Sequence, residues 1–155
     1  MSTNDTVMLL ANGASQNFLI DEKKNFNLFI KALKTVCLEL AKSIVRDGEG
    51  ASKFIQIHVD KAKDYQEAKK AALFIANSNL FKTAIYGENP NFGRIVAAIG
   101  ASGINVKEEG LKIKTSPLHK KEISVYVSIN RGNSQAVVYT SDLTPKYIKI
   151  NAEYN

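Results

Sequence analysis

Apolar residues recur at three- and four-residue steps through the segment that follows Asp21. Asp21 is a plausible N-cap, and Asp47-Gly48 is a typical helix stop. The spacing therefore predicts one long helix with a buried apolar face. The single cysteine lies on that face and is expected to be a buried structural thiol rather than a nucleophile. The positions that form the face are Phe26, Phe29, Ile30, Leu33, Cys37, Leu40, Ala41 and Ile44.

Alternation with a period of two is strongest over residues 53–59, where Ile55, Ile57 and Val59 alternate with more polar positions. This pattern predicts a strand with one apolar face, and it places His58 on the other face as a surface or packing residue. The alanine-rich segment 64–78 predicts a helix that packs closely on a sheet. A further helix is predicted over residues 92–99, after a cap at Asn89 or Asn91 and before Gly100 and Gly103.

Short apolar runs predict the remaining strands, at residues 83–86, around 111–113, and at 122–129, 135–140 and 147–151. The strands at 122–129 and 135–140 are expected to pair through a turn at 130–133. The apolar segment 6–13 fits either a buried strand or the end of a helix. Helices before and between strands, followed by a β-rich last third, predict a single domain over residues 1–155. Its fold class is α/β (α+β layered), with a mixed β-sheet packed by helices.

Composition and charge exclude several functional classes. The chain has 155 residues, of which 45% are hydrophobic and 23% charged, the balance of a globular domain. No apolar run is long enough for a membrane span and no export signal is visible, so no membrane partner and a cytoplasmic location are expected. His58 and His119 lack metal-ligand spacing. The net charge of +6 comes mostly from scattered lysines, which favours a solvated surface over a nucleic-acid site.

Two loops carry residues with functional potential. The loop 46–53, with sequence R-D-G-E-G-A-S-K, holds two acids and two glycines in a tight connection. Either it is a helix C-cap with solvated acids, or it holds the carboxylate of Glu49 against an ammonium group. The segment 89–94, N-P-N-F-G-R, either caps the following helix or presents free N–H groups to an anion.

Five strings, in order along the chain, resemble one enzyme family. S-T-N-D-T-V-M-L-L-A-N-G at 2–13 resembles the family's S-T-N-D-T-x-x-L-L-A-N-G, and I-V-R-D-G-E-G-A-S-K at 44–53 resembles I-V-R-D-G-E-G-A-T-K. The segment 78–87 resembles S-x-L-V-K-T-A-x-x-G, and N-P-N-F-G-R-I at 89–95 resembles D-P-N-W-G-R-I. The end of the chain, 141–154, resembles S-D-L-T…Y-V-x-I-N-A-x-Y. The family is the bifunctional ornithine acetyltransferase / glutamate N-acetyltransferase family of arginine biosynthesis, and this chain resembles the C-terminal part of its β chain.

The resemblance implies an N-acyltransferase that moves an acetyl group from N-acetylornithine to glutamate. The family's precursor cuts itself into α and β chains, and the new N-terminal threonine of β forms an acetyl-enzyme intermediate beside an oxyanion hole. The fold implied is the β-chain part of an α-β-β-α sandwich of the autoprocessed N-terminal-nucleophile-like type. The partners implied are the α chain and the remainder of the β chain in an (αβ)2 assembly. No cofactor is expected, although acetyl-CoA is a possible acetyl donor.

The resemblance carries substrate binding, but no catalytic residue, into this sequence. The substrates implied are ornithine and glutamate and their N-acetyl forms. Glu49, at the glutamate of D-G-E-G, is expected to contact the ammonium group of the amino acid. Asn151, at the asparagine of I-N-A-x-Y, is expected to hold the carboxylate end. The threonine nucleophile is expected upstream of Met1, and the family's terminal Thr or Ser contact has no counterpart after Asn155. The chain is therefore expected to be inactive alone, and a truncated, non-catalytic fragment or assembly module is the alternative.

Overall fold

The computed structural model describes residues 5–21 and 24–153. The family-like positions Ser2 to Asn4 and Tyr154 lie outside this range. The chain divides into two compact units that meet in sequence between Ile44 and Val45. The helices are α1 (Phe26–Arg46), α2 (Tyr65–Ala76), α3 (Asn79–Tyr86), α4 (Phe92–Ala101) and α5 (Pro145–Ala152). The strands are β1 (Phe54–Ala62), β2 (Lys112–Thr115), β3 (Glu122–Ser128) and β4 (Ser134–Ser141).

The unit after Ile44 is built on one four-stranded mixed sheet in the order β2-β3-β1-β4. Strand β1 pairs in parallel with β3 and antiparallel with β4, while β2 pairs antiparallel with β3. The alternate residues Ile55, Ile57 and Val59 of β1 are fully buried. Helix α2 packs on β1 and β4 through its alanines, with α3 and α4 beside it. The predicted fold class, a mixed sheet packed by helices, is confirmed.

The predicted hairpin between residues 122–129 and 135–140 is wrong, because β1 lies between β3 and β4. The connection from β3 crosses the end of β1, where the N–H groups of Arg131 and Gly132 donate to the carbonyl oxygen of Lys61 at 2.6 and 2.9 Å. A Cβ on Gly132 would lie 2.5 Å from the carbonyl oxygen of Ala62. Only glycine therefore fits at this crossing.

Two segments predicted as strands are helices. Residues 83–86 belong to α3, which Ser78 caps by accepting a hydrogen bond from the Phe81 N–H. Residues 147–151 belong to α5, where Thr144 is the N-cap and Pro145 stands in the first turn. A short apolar run fits both the two-residue period of a strand and the 3.6-residue period of a helix. In both segments the capping residue before the run favours the helix.

The unit that precedes Val45 contains α1 up to Ile44 and the irregular segment 5–21. Helix α1 ends at Arg46 as predicted, but it begins at Phe26 rather than just after Asp21. The predicted buried face is wrong: no residue of α1 is buried, Leu33 is half-buried and Cys37 is exposed. Residues 6–13 are likewise exposed and irregular. An amphipathic spacing of apolar residues is enough to predict a helix, but its apolar face is buried only where another element packs on it. The described residues of this unit form no other helix or strand.

His58 lies on the sheet face opposite the helices, as predicted, and it is half-buried. Its ring stacks on Tyr126 with the ring centroids 4.7 Å apart, and its Nε2 lies 2.7 Å from Nε2 of Gln56. Burial lowers the pKa of His58 below its ordinary value, because desolvation penalises the charged ring. The neutral imidazole is therefore the form that the fold favours.

This shift gives the free energy of unfolding a specific pH dependence. As pH falls below about 6.5, the unfolded chain takes up a proton at residue 58 before the folded chain does, so stability decreases. Above that pH the imidazole is neutral in both states and contributes no slope. We expect His58→Gln to flatten the dependence of the melting temperature on pH between about 6.5 and 5. His119→Gln, at the exposed second histidine, is the matched control, and equal slopes in the two variants would contradict the assignment.

Candidate functional site

The acidic glycine loop follows α1 directly and leads into β1. The Gly48 N–H donates to the Val45 carbonyl oxygen at 3.3 Å, and the Ala51 N–H donates to the Gly48 oxygen at 2.9 Å. Gly50 adopts φ +67, in the left-handed region. Glu49 lies inside the second of these turns and is half-buried. The loop is therefore both a helix stop and a rigid support for one carboxylate.

Asn151 meets this carboxylate from the other end of the sequence. It lies in the last turn of α5, and its Nδ2 is 3.4 Å from Oε2 of Glu49, although 102 positions separate the two residues. The same Nδ2 donates to the Tyr147 carbonyl oxygen at 2.9 Å. The structure thus brings together the two residues that the sequence names as substrate-binding, and it adds Tyr147 as the residue that orients Asn151.

The contact between Glu49 and Asn151 is held in place because the backbone of the loop packs closely on the backbone of α5. A Cβ built on Gly50 would lie 2.5 Å from the Tyr147 nitrogen, 2.8 Å from its Cα and 2.9 Å from the Lys146 carbonyl carbon. Thr144 Oγ1 donates to the Gly50 carbonyl oxygen at 2.6 Å and accepts from the Tyr147 N–H at 3.1 Å. The first turn of α5 therefore sits directly on the loop, and Thr144 joins the two.

A buried carboxylate holds the second half of the loop. Asp142 is 3% exposed, and its Oδ1 accepts from the N–H groups of Ser52 and Lys53 at 2.9 and 3.0 Å. The Ser52 hydroxyl donates to its Oδ2. Three hydrogen bonds to one carboxylate restrain the loop strongly, because charge-assisted hydrogen bonds are stronger than neutral ones. Asp142 and Thr144 together clamp the loop from Gly50 to Lys53.

Lys82 is the basic residue next to this clamp, and it is 8% exposed. Desolvation lowers the pKa of its ammonium group, and the charge of Asp142 opposes that shift. The Leu143 N–H also donates to the Lys82 carbonyl oxygen at 3.4 Å. The charge of Asp142 therefore offsets part of the cost of burying the Lys82 side chain.

Neither Asp142, Thr144 nor Lys82 was predicted as a site residue. The available signal was the string S-D-L-T, which resembles the family's string but was assigned no role. A carboxylate that accepts from backbone N–H groups 89 and 90 residues away leaves no periodic pattern in a sequence. Burial and hydrogen bonding identify these residues only once the fold is known.

The second candidate loop has a structural role. Asn91 is the N-cap of α4 but makes no side-chain capping hydrogen bond. Arg94 Nη1 donates to the Leu80 carbonyl oxygen at 2.7 Å and to Thr83 Oγ1 at 3.2 Å. These contacts join α4 to α3, which favours the capping and packing interpretation over an anion site.

Among residues 5–21 and 24–153, no group of three or more His, Cys, Asp or Glu side chains is placed to hold a metal ion. Within the same ranges, no helix combines the length and apolar character needed to cross a bilayer.

Comparison with known proteins identifies the family. The ArgJ family model matches residues 1–119 and 114–155, which together span the chain. The chain belongs to the ArgJ family. The arginine biosynthesis bifunctional protein ArgJ of Geobacter sulfurreducens is 42% identical, with 99% of this chain and 45% of the relative covered. The glutamate N-acetyltransferase of Methanopyrus kandleri is 41% identical with the same coverage. The chain spans less than half the length of these curated relatives.

A solved structure of an ArgJ protein has the same fold. The crystal structure of ArgJ from Bacillus halodurans matches with a TM-score of 0.89 at 38% identity, covering 99% of this chain and 83% of that chain. The matched crystal chain is therefore only slightly longer than this one, whereas the curated ArgJ relatives are more than twice as long.

The chain is shorter than an ArgJ relative within the matched region. The alignment with the Geobacter protein runs over 176 positions against the 155 residues of this chain, so the relative has at least 21 more residues in the matched region. The two family matches overlap at residues 114–119, at the turn between β2 and β3. This turn contacts the site loop, because Lys53 Nζ donates to the Leu118 carbonyl oxygen at 2.6 Å.

Proposed function

We propose that this chain is the amino-acid-binding part of an acetyltransferase that moves an acetyl group from N-acetylornithine to glutamate. The observation that carries the proposal is the 3.4 Å contact between Glu49 and Asn151, at the end of a rigid clamp, in a chain of the ArgJ family. A carboxylate beside a carboxamide offers one acceptor for an ammonium group and one donor for a carboxylate. Ornithine, glutamate and N-acetylornithine each present an ammonium group and a carboxylate.

Substrate binding follows from an exchange of hydrogen bonds. Asn151 Nδ2 uses its two protons on Glu49 and on the Tyr147 carbonyl oxygen. The bond to Glu49 is long and therefore weak. A substrate ammonium group that binds Glu49 frees one Nδ2 N–H of Asn151, which then donates a hydrogen bond to the substrate carboxylate. Both charges of the ligand are matched without movement of the backbone.

The chemistry of acetyl transfer belongs, in this proposal, to the rest of the enzyme. A threonine nucleophile takes the acetyl group from N-acetylornithine, releases ornithine and passes the group to the amine of glutamate. The role of this chain is to position the amino acid, which lowers the entropic part of the barrier. We propose the cytoplasm as the location, an α chain and the remainder of the β chain as partners in an (αβ)2 assembly, and acetyl-CoA as an additional donor. The difference in length between the crystal chain and the curated relatives supports a divided polypeptide.

Glu49→Gln tests the proposal in the complete enzyme, with this chain combined with the remaining polypeptide. We expect KM for ornithine-type substrates to rise about tenfold or more, because the variant loses a charge-assisted hydrogen bond but keeps the shape of the side chain. The melting temperature is expected to change little.

The matched control is Glu108→Gln, which removes the same charge at an exposed position of a short 3-10 turn. Unchanged KM in Glu49→Gln would remove Glu49 from the site. If the combined polypeptides transfer no acetyl group while still binding N-acetylornithine, the chain is instead a non-catalytic binding or assembly module.

A further inference from the structure

A cavity lies at the end of the parallel strand pair that is far from the Glu49 loop. It has a volume of about 590 Å³ and is lined by Lys63, Asn105, Lys107, Glu109, Asn130 and Arg131, with the buried Ile129 among them. Strand β1 ends at Ala62 and β3 at Ser128, so the cavity lies just beyond the carboxyl ends of both strands. This is the edge at which ligands bind in open sheets with parallel strands.

The backbone at this edge is specifically shaped. Lys61 and Asn130 have φ +53 and +50, although neither is glycine. The pairing of β1 with β4 shifts in register between Val59 and Ala62. Bulges and left-handed non-glycine residues are enriched at ligand sites, because surrounding contacts must hold them. Here those contacts are the two N–H bonds from Arg131 and Gly132 to the Lys61 carbonyl oxygen.

The cations around the cavity are partly fixed in place. Arg131 donates from Nε to Glu67 and from Nη1 to the Asn105 carbonyl oxygen at 2.6 Å, so its Nη2 protons remain for a ligand. Lys63 and Lys107 are exposed at the rim. The opposing carboxylates are Glu109 in the lining and Glu67 on the guanidinium, which leaves one net positive charge around a polar cavity.

We propose that this cavity binds a small dianion, a phosphate or a dicarboxylate, between Lys63, Lys107 and Arg131. The two carboxamides of Asn105 and Asn130 supply neutral donors beside the cations, and a guanidinium suits the paired oxygens of either anion. The nine residues of β1 separate this cavity from the Glu49 loop by about 30 Å. The site is therefore distinct from the proposed amino-acid site.

The test is a titration of the isotope-labelled full chain, followed by amide chemical shifts. Inorganic phosphate and succinate are added separately at constant ionic strength, with chloride as the comparison. We expect saturable chemical-shift changes of the Gly110, Arg131 and Gly132 amides with at least one of the two dianions. The dianion that binds identifies the ligand class as a phosphate or a dicarboxylate. Lys63→Gln combined with Lys107→Gln should weaken binding about tenfold.

Lys70→Gln combined with Lys120→Gln removes the same charge from exposed positions outside the lining and should leave the affinity unchanged. Shifts that do not saturate, that fall elsewhere, or that survive the loss of Lys63 and Lys107 would overturn the proposal. Glu49→Gln should not alter this binding. A failure here is thus separable from a failure of the proposed acetyl transfer, which is measured by KM in the complete enzyme.

Discussion

Gly50→Ala is expected to lower the free energy of unfolding and to separate the two proposed substrate-binding residues. The new methyl group would meet the Tyr147 nitrogen at 2.5 Å and the Lys146 carbonyl carbon at 2.9 Å. These are backbone atoms, so no side-chain rotation relieves the clash. The left-handed conformation adds a cost of about 1–2 kcal/mol for a residue with a Cβ, and overpacking adds about 1–3 kcal/mol.

The first turn of α5 must move to accept the methyl group, and Asn151 moves with it. We therefore expect a rise in KM for the amino-acid substrate that exceeds the effect of Glu49→Gln, measured in the complete enzyme beside chemical denaturation of the chain. Gly103→Ala is the matched control, since Gly103 has φ +72 but open space around a built Cβ. Equal losses of stability in the two variants would show that backbone conformation, not contact with α5, is what Gly50 provides.

The sequence predicted elements wherever one periodicity ran long enough. Strand β1 and helix α2 were located because alternation runs through residues 53–59 and alanines recur through residues 64–78. Helix α5 was misread because Ile148 and Ile150 fit a strand as well as a helix over five positions. The Thr144-Pro145 pair held the deciding information, since a threonine cap followed by proline starts a helix.

The arrangement of the strands could not be obtained from local patterns. The sequence 130–133 resembles a hairpin turn, yet Gly132 is required by its approach to the Ala62 carbonyl oxygen. That contact joins residues 70 positions apart, and no spacing rule reports it. The burial of α1 was mispredicted for a similar reason. The spacing of its apolar residues predicts a helix but does not show which element covers them.

The candidate site was predicted through resemblance rather than through chemistry. Residue types alone left Glu49 undecided between a solvated acid and a ligand, and they gave Asn151 no role. The structure adds the contacts that hold these two residues in place. Gly50 packs on the backbone of Tyr147, Thr144 donates a hydrogen bond to the Gly50 carbonyl oxygen, and Asp142 accepts one from the Ser52 N–H. These residues act through backbone contacts between distant segments, so the arrangement becomes visible only in three dimensions.

Asp142→Ala tests whether that clamp supports the fold as well as the site. The variant removes the acceptor for two backbone N–H groups and for the Ser52 hydroxyl, and it removes the charge that favours the ammonium form of Lys82. We expect a loss of about 3–5 kcal/mol in the free energy of unfolding, because several donors lose one shared acceptor at about 1–3 kcal/mol each. Chemical denaturation of the full chain measures it.

Asp142→Asn separates charge from hydrogen bonding, because the carboxamide keeps one acceptor oxygen and the shape of the side chain. We expect it to cost about 1.5–3 kcal/mol, less than the alanine variant, since only the charge-assisted part is lost. In a Lys82→Met background this cost should shrink, because the ammonium that Asp142 stabilises is then absent. Additive effects of the two changes would show that Asp142 acts on the loop alone. Shrinkage would establish that the charge of Lys82 is coupled through Asp142 to the loop that carries Glu49.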